Sequence, residues 1–227
     1  ADTVFFLTGS YERTLLLRGE QGTEADPILL AAVAGHSPVF SGSMLIEDSL
    51  WQLLDGTDPV GLPNAVRKIH LAQYATAGVP PVVFNLYEGN ALQRLARAPN
   101  AGFHRCDILS VDSLLSDEIT GDWNPGTDTA TLVLRYQNWG YSIRRILPGA
   151  HSGNWLTFDT VAWQGGNDWG FFLQNKVEAL DTAGEWFVKG AHGPDPVLYY
   201  YPNGASPTNV RICIRSRAIE LATNSSG

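Results

Sequence analysis

Residues 9–42 read GSYERTLLLRGEQGTEADPILLAAVAGHSPVFSG, after a strand-like opening TVFFL at 3–7. Apolar runs at 4–7, 15–17, 28–32 and 39–40 are separated by turn formers at 9–10, 19–22 and 35–38. Each run is shorter than the ten or so residues of an ordinary helix, so each predicts a short strand. Leu7 and Leu30 lie 23 positions apart, about one coil of a three-strand solenoid. Short strands at even spacing fit either a sandwich or a β-solenoid, and periodicity alone does not choose between them.

The rest of the chain is also strand-rich. Its 227 residues are enough for one large all-β domain, or for a small solenoid start with one inserted domain. Charged residues make up 17% and hydrophobic residues 44%, a balance that argues against disorder. The 23 glycines and 13 prolines predict frequent turns. A hairpin is expected where 82–86 runs into Tyr87-Glu88-Gly89-Asn90 and returns over 91–97. Further strands are expected at 131–136, 141–146, 155–158, 171–173, 186–188 and 197–201, with short helical turns at 113–119 and 175–181. The apolar alternation at 210–214 and 218–222 returns to the style of the opening. That symmetry of the ends predicts one domain inserted in another.

The net charge of -8, with no Lys or Arg run, argues against nucleic-acid binding. No stretch reaches the roughly 20 apolar residues of a membrane span. The chain opens directly in a strand without an initiator Met, which leads us to expect a processed or truncated product. Cys106 and Cys213, 107 positions apart, have no zinc spacing. They are either two separate thiols or one long-range disulfide, the latter worth roughly 3–5 kcal/mol.

Three stretches carry a family resemblance. Residues 3–42 resemble the first coil of right-handed parallel β-helix proteins of the pectate-lyase-like superfamily. There a G-x-Y-x-E-T-L strand precedes SGT-x-x-x-P-I-x-I-x-A-x-x-G-x-x-P-V-x-SG. LYEGNALQRLARAPNAGFHRC at 86–106 is similar to that group's LFVNGKRQTLARYPN hairpin. KVEALDTAGEWFVKG at 176–190 and LYYYPNGASP at 198–207 resemble its LDEPGEWYYD and GTLYYYPP segment. The order also matches.

The resemblance implies an all-β fold: the start of a right-handed parallel β-helix with an inserted antiparallel β-sandwich or barrel-like domain. Its implied boundaries are first coils at 1–46, a β-rich insert at 47–207, and a return to the coil at 208–227. It further implies a secreted, extracellular or cell-surface protein whose partner is polysaccharide. Catalytic coils of a glycosidase or lyase would lie mostly outside these residues. Exposed coil ends would also permit self-association into a matrix or filament protein. A carbohydrate-binding module is the third reading.

Several constellations bear on chemistry. Glycoside hydrolysis needs two carboxylates at defined separation, and nothing in the sequence pairs any two of Asp159, Asp168, Glu178, Asp181 and Glu185. Trp123, Trp139, Tyr141, Trp155, Trp163 and Trp169 fall close together along the chain. Sugar rings stack on such aromatics while amides and carboxylates bind their hydroxyls. Asn138, Trp139, Tyr141, Asp168 and Trp169 are therefore candidate carbohydrate contacts, against the alternative that the rings fill a core. Asp122, Asn124 and Asp128 place oxygens at alternate positions, which makes calcium the one cofactor with candidate ligands, although the expected bidentate Glu is missing. An Asx-Pro-Gly turn explains the same residues. The five histidines show no HExxH spacing.

Overall fold

The computed structural model describes residues 2–18, 22–124, 130–159, 169–191, 193–217 and 219–222. It is all-β. Two large sheets dominate, and both are mainly antiparallel. Among the described residues no helix is long and apolar enough to cross a membrane.

The eight-stranded sheet runs in the order Ser43–Leu45, Val210–Cys213, Asn85–Glu88, Ala91–Leu95, Glu185–Lys189, Val197–Tyr200, Arg67–His70, Gln52–Leu53. Its one parallel join is between Ala91–Leu95 and Glu185–Lys189. The expected hairpin is present, with Ala91 opposite Glu88 and Gly89 at φ 58°. The seven-stranded sheet runs Arg97–Ala98, Phe171–Gln174, Thr131–Gln137, Gly140–Ser152, Trp155–Phe158, Ser113–Leu115, Ile108–Leu109. All its joins are antiparallel.

Alternation sorts the side chains between two cores. Phe187 and Tyr199 face the seven-stranded sheet and pack with Leu132, Leu134 and Leu173. Their neighbours Trp186, Val188, Leu198 and Tyr200 face the other way and pack with Ile46, Ile69 and Leu86. The eight-stranded sheet is thus covered on both faces, so EWFV and LYY read as continuous buried runs rather than as alternating ones.

Parallel pairing organises the opening segment and links it to residues 219–222. Thr3–Phe6 pairs with Leu29–Ala32, Gly9–Tyr11 with Pro38–Phe40, and Leu15–Arg18 with Ile219–Ala222. Phe6, Tyr11 and Phe40 pack together, with ring centroids 4.8–5.6 Å apart. Both Ile214 N–H and Arg215 N–H donate to the Gly42 carbonyl, which brings the departure at 42 and the return at 214 side by side.

Two local expectations are corrected. Residues 210–214 do not pair with the opening; they join the antiparallel sheet between Ser43–Leu45 and Asn85–Glu88, and 219–222 supply the parallel partner. The expected helical turn at 113–119 begins as the strand Ser113–Leu115, because Leu114 is fully buried and paired with Leu156. A single 3-10 turn, Val177–Ala179, lies within 175–181.

Candidate functional site

The outer face of the seven-stranded sheet carries a patch of rings around one guanidinium. Its base is the hairpin of Thr131–Gln137 and Gly140–Ser152. Leu132 and Leu134 point inward and are buried. By alternation Val133 and Arg135 point outward. Cross-strand register sets Ile143 opposite Val133 and Tyr141 opposite Arg135, and Phe172 also lies opposite Val133. Ile143 and Tyr141 are 65% and 52% exposed, an apolar row left open to solvent.

Asn138 and Trp139 form the two-residue tip, closed by the Gln137–Gly140 pair. A Cβ on Gly140 would sit 2.6 Å from Tyr136 Cε2 and Gln137 Cγ, so the tight return requires glycine. Trp139 at this tip is 90% exposed. Phe103 arrives from a distant loop, held by His104 N–H donating to the Phe171 carbonyl at 2.7 Å. Gly170 permits that approach: its φ is +79°, and a Cβ there would meet the His104 carbonyl oxygen at 2.5 Å.

The rings converge on Arg135. Its guanidinium carbon lies 4.9 Å from the Trp169 ring centre, 5.8 Å from Phe103 and 6.0 Å from Tyr141, within cation–π range. Phe103 and Tyr141 stack at 6.2 Å. Arg97 caps the neighbouring Phe172 at 3.7 Å and donates from Nε to the Pro99 carbonyl at 2.9 Å.

Of the residues expected to contact carbohydrate, Asn138, Trp139, Tyr141 and Trp169 therefore meet on one surface. Asp168 lies outside the described residues, as does Trp163. Trp123 is elsewhere: it is 1% exposed in the core, with Nε1 donating to the Thr120 carbonyl at 2.8 Å. Trp155 is 44% exposed on the strand Trp155–Phe158. Arg135, Phe103 and Phe172 escaped the sequence reading. The alternation of TLVLRYQNWGYSI holds the signal for Arg135, but Phe103 has none nearby.

Asp122 and Asn124 form an Asx turn. Asp122 Oδ1 accepts from Asn124 N–H at 2.9 Å and from Asn124 Nδ2 at 2.8 Å. Those bonds hold the Asp122 carboxyl below its ordinary pKa, the backbone N–H of Asn124 being the main cause. Asn124 Oδ1 accepts from His151 N–H, and the Lys176 ammonium donates to the Asp122 carbonyl. Asp128 lies outside the described residues. Among the described residues no three His, Cys, Asp or Glu side chains are grouped to hold a metal ion.

Two further charged clusters are internally matched. Lys68 donates to Asp55 Oδ2 at 2.7 Å and to Asp58 Oδ2 at 2.8 Å, and Tyr199 Oη donates to Asp58 Oδ1 at 2.9 Å. Lys68, Asp58 and Tyr199 border a cavity of about 220 Å³ with His70, Lys189 and Asp195. Glu185 is fully buried; its Oε1 accepts from Arg94 at 2.8 Å and its Oε2 from Thr182 N–H at 3.2 Å. Burial pushes this carboxyl up despite Arg94. In the segment 180–186 (LDTAGEW) the glutamate thus closes the turn before its own strand. Cys106 and Cys213 are separate thiols, and burial pushes Cys106 up to about 11.

No protein-family model matches the sequence, and no curated protein matches it. Among solved structures, one named "Glycoside hydrolase" is similar, with a TM-score of 0.64 and 21% identity. The alignment covers 97% of this chain and 39% of that one. At this identity the likeness concerns the fold. The present chain spans well under half of that structure's length.

Proposed function

We propose that this chain is the N-terminal part of a secreted β-helix protein acting on polysaccharide, of the glycosidase or lyase type, and that its insert contacts the glycan. The observation that carries this reading is the Phe103–Arg135–Tyr141–Trp169 surface beside the 90%-exposed Trp139. A contiguous exposed patch of rings marks a surface that a ligand or partner covers. Pyranose rings suit this surface, having apolar faces for its rings. The similarity to a structure named glycoside hydrolase agrees with the reading.

The three parallel strand pairs support a finer assignment. In it, 3–18 is one rung of a β-helix, 29–40 with 219–222 is the next, and the two antiparallel sheets are looped out between them. Further rungs would carry the paired carboxylates of catalysis. Close carboxylates within the described residues, such as Asp55 and Asp58, are bound to Lys68 and suit support rather than proton transfer. Assembly of copies through the rungs is the second reading. Val4, Phe5, Leu7, Leu29 and Val39 on or beside those strands are 43–62% exposed. Sedimentation of the complete secreted chain separates the two, since concentration-dependent growth favours assembly.

Affinity electrophoresis through gels containing xylan, mixed-linkage β-glucan, galactomannan, alginate or polygalacturonate tests the glycan contact. The wild-type chain should be retarded by at least one of these. Trp139→Ala should weaken retention roughly tenfold, as expected for loss of a ring worth about 1.4 kcal/mol. Its thermal stability should stay within about 0.5 kcal/mol of wild type, because the ring is outside the core. Unaltered retention of Trp139→Ala would remove the insert from the glycan site.

A further inference from the structure

We infer that Arg135 is the positioning residue of this surface: it holds the Asn138–Trp139 tip in place for the ligand. The inference rests on the glycan-contact reading above and adds a role that the ring patch alone does not assign.

One arm of the Arg135 guanidinium is bonded to the tip. Nη2 donates to the Asn138 carbonyl at 3.1 Å and to Asn138 Oδ1 at 3.2 Å. Both acceptors belong to the residue just before Trp139. Nε is buried without a hydrogen-bond partner. Among the described residues no carboxylate lies within ion-pair distance of the guanidinium. An arginine with a buried, unsatisfied N–H is an unfavourable choice for stability alone. Its position is explained by what it links. The flat cation is flanked by Trp169, Phe103 and Tyr141 while its end grips the tip.

Trp139 needs such a grip. It makes no ring contact among the described residues, so where its indole can reach follows the backbone of a two-residue turn. The 137–140 pair closes that turn at its base, and the Arg135–Asn138 contact fixes its apex. Lysine at 135 would keep the charge but lose both the planar stacking and the fixed donor geometry.

The test is a double-mutant cycle in affinity gels, using whichever of the five polysaccharides retards the wild-type chain most. Arg135→Lys should weaken retention about tenfold, and by less than twofold when Trp139 is already alanine. That non-additivity marks action through Trp139, which a general loss of stability would not produce. Asn138→Ala, at an exposed position, removes one acceptor without disturbing the packed guanidinium. It should weaken retention about threefold, again only when Trp139 is present. If Arg135→Lys unfolds in a thermal melt, the Asn138–Trp139 cycle decides alone. Equal effects in both backgrounds, or wild-type retention in the single variants, overturn the positioning role. A Trp139→Ala chain retained like wild type overturns the underlying glycan contact instead.

Discussion

Lys68→Ala should lower the unfolding free energy by about 3–5 kcal/mol, as for other buried ion pairs that lose one partner. The side chains of Lys68 and Asp58 are only 4% and 5% exposed. Burial pushes Asp58 up, but bonds from Lys68, the Asp55 N–H and Tyr199 more than offset it and hold the carboxyl below its ordinary value. Asp55 is held well below as well, chiefly by its hydrogen bond to Lys68. Burial likewise pulls Lys68 down, and its bonds to Asp55 and Asp58 more than reverse this. Removing the ammonium leaves Asp58 buried beside a second carboxylate. For a chain of this length the loss corresponds to a drop in Tm of about 10 °C.

The same groups fix a pH signature. Their folded-state pKa values lie below the ordinary 3.8, so their contribution is complete above that value. It is lost as pH falls through the depressed values. Thermal melts should show the wild type losing stability below about pH 4. Lys68→Ala should lose less over that window, since its carboxylates are no longer stabilised by the ammonium. Parallel curves for the two proteins would contradict the network.

Trp123→Ala should be comparably damaging, at about 3–5 kcal/mol, whereas Trp139→Ala should scarcely alter stability. The residue type is the same and the surroundings differ. Trp123 packs in the core between the sheets, and its indole N–H is bonded to Thr120. Truncation would leave a cavity and an unpaired carbonyl. Trp123→Phe should recover much of the loss, because it fills most of the volume. Denaturant unfolding of the three variants checks this ordering, and equal midpoints for Trp123→Ala and Trp139→Ala would refute it.

The sequence is legible where local physics decides. Glu88-Gly89-Asn90 marks its hairpin because glycine supplies the positive φ, and the short runs of the opening are strands because none is long enough for a helix. What escaped the sequence depends on partners far along the chain. Residues 210–214 and 218–222 both alternate, yet Val210–Cys213 joins an antiparallel sheet and Ile219–Ala222 a parallel pair. Nothing in either segment distinguishes them. Ser113–Leu115 is a strand because Trp155–Phe158 pairs with it, which overrides a local pattern that suited a turn.

The site divides in the same way. Trp139 is in the hairpin tip and Tyr141 just beyond it, so their spacing points to both. The alternation of the hairpin puts Arg135 on the same face, opposite Tyr141. Phe103 reaches the patch through a bridge between His104 and Phe171 that no short window contains. Trp123 and Trp139 could not be told apart by composition, because burial is settled by the packing of two sheets.

The most direct test of the central claim, that glycan lies on the ring patch around Arg135 and Trp139, is N-bromosuccinimide oxidation mapped by mass spectrometry. It would be run with and without the polysaccharide that retards the wild-type chain. Trp139, at 90% exposure, should oxidise readily alone and become protected when the polysaccharide is bound, while Trp155, at 44%, should react at the same rate in both. Retardation by the polysaccharide together with an unchanged rate at Trp139 would place the glycan elsewhere on the molecule.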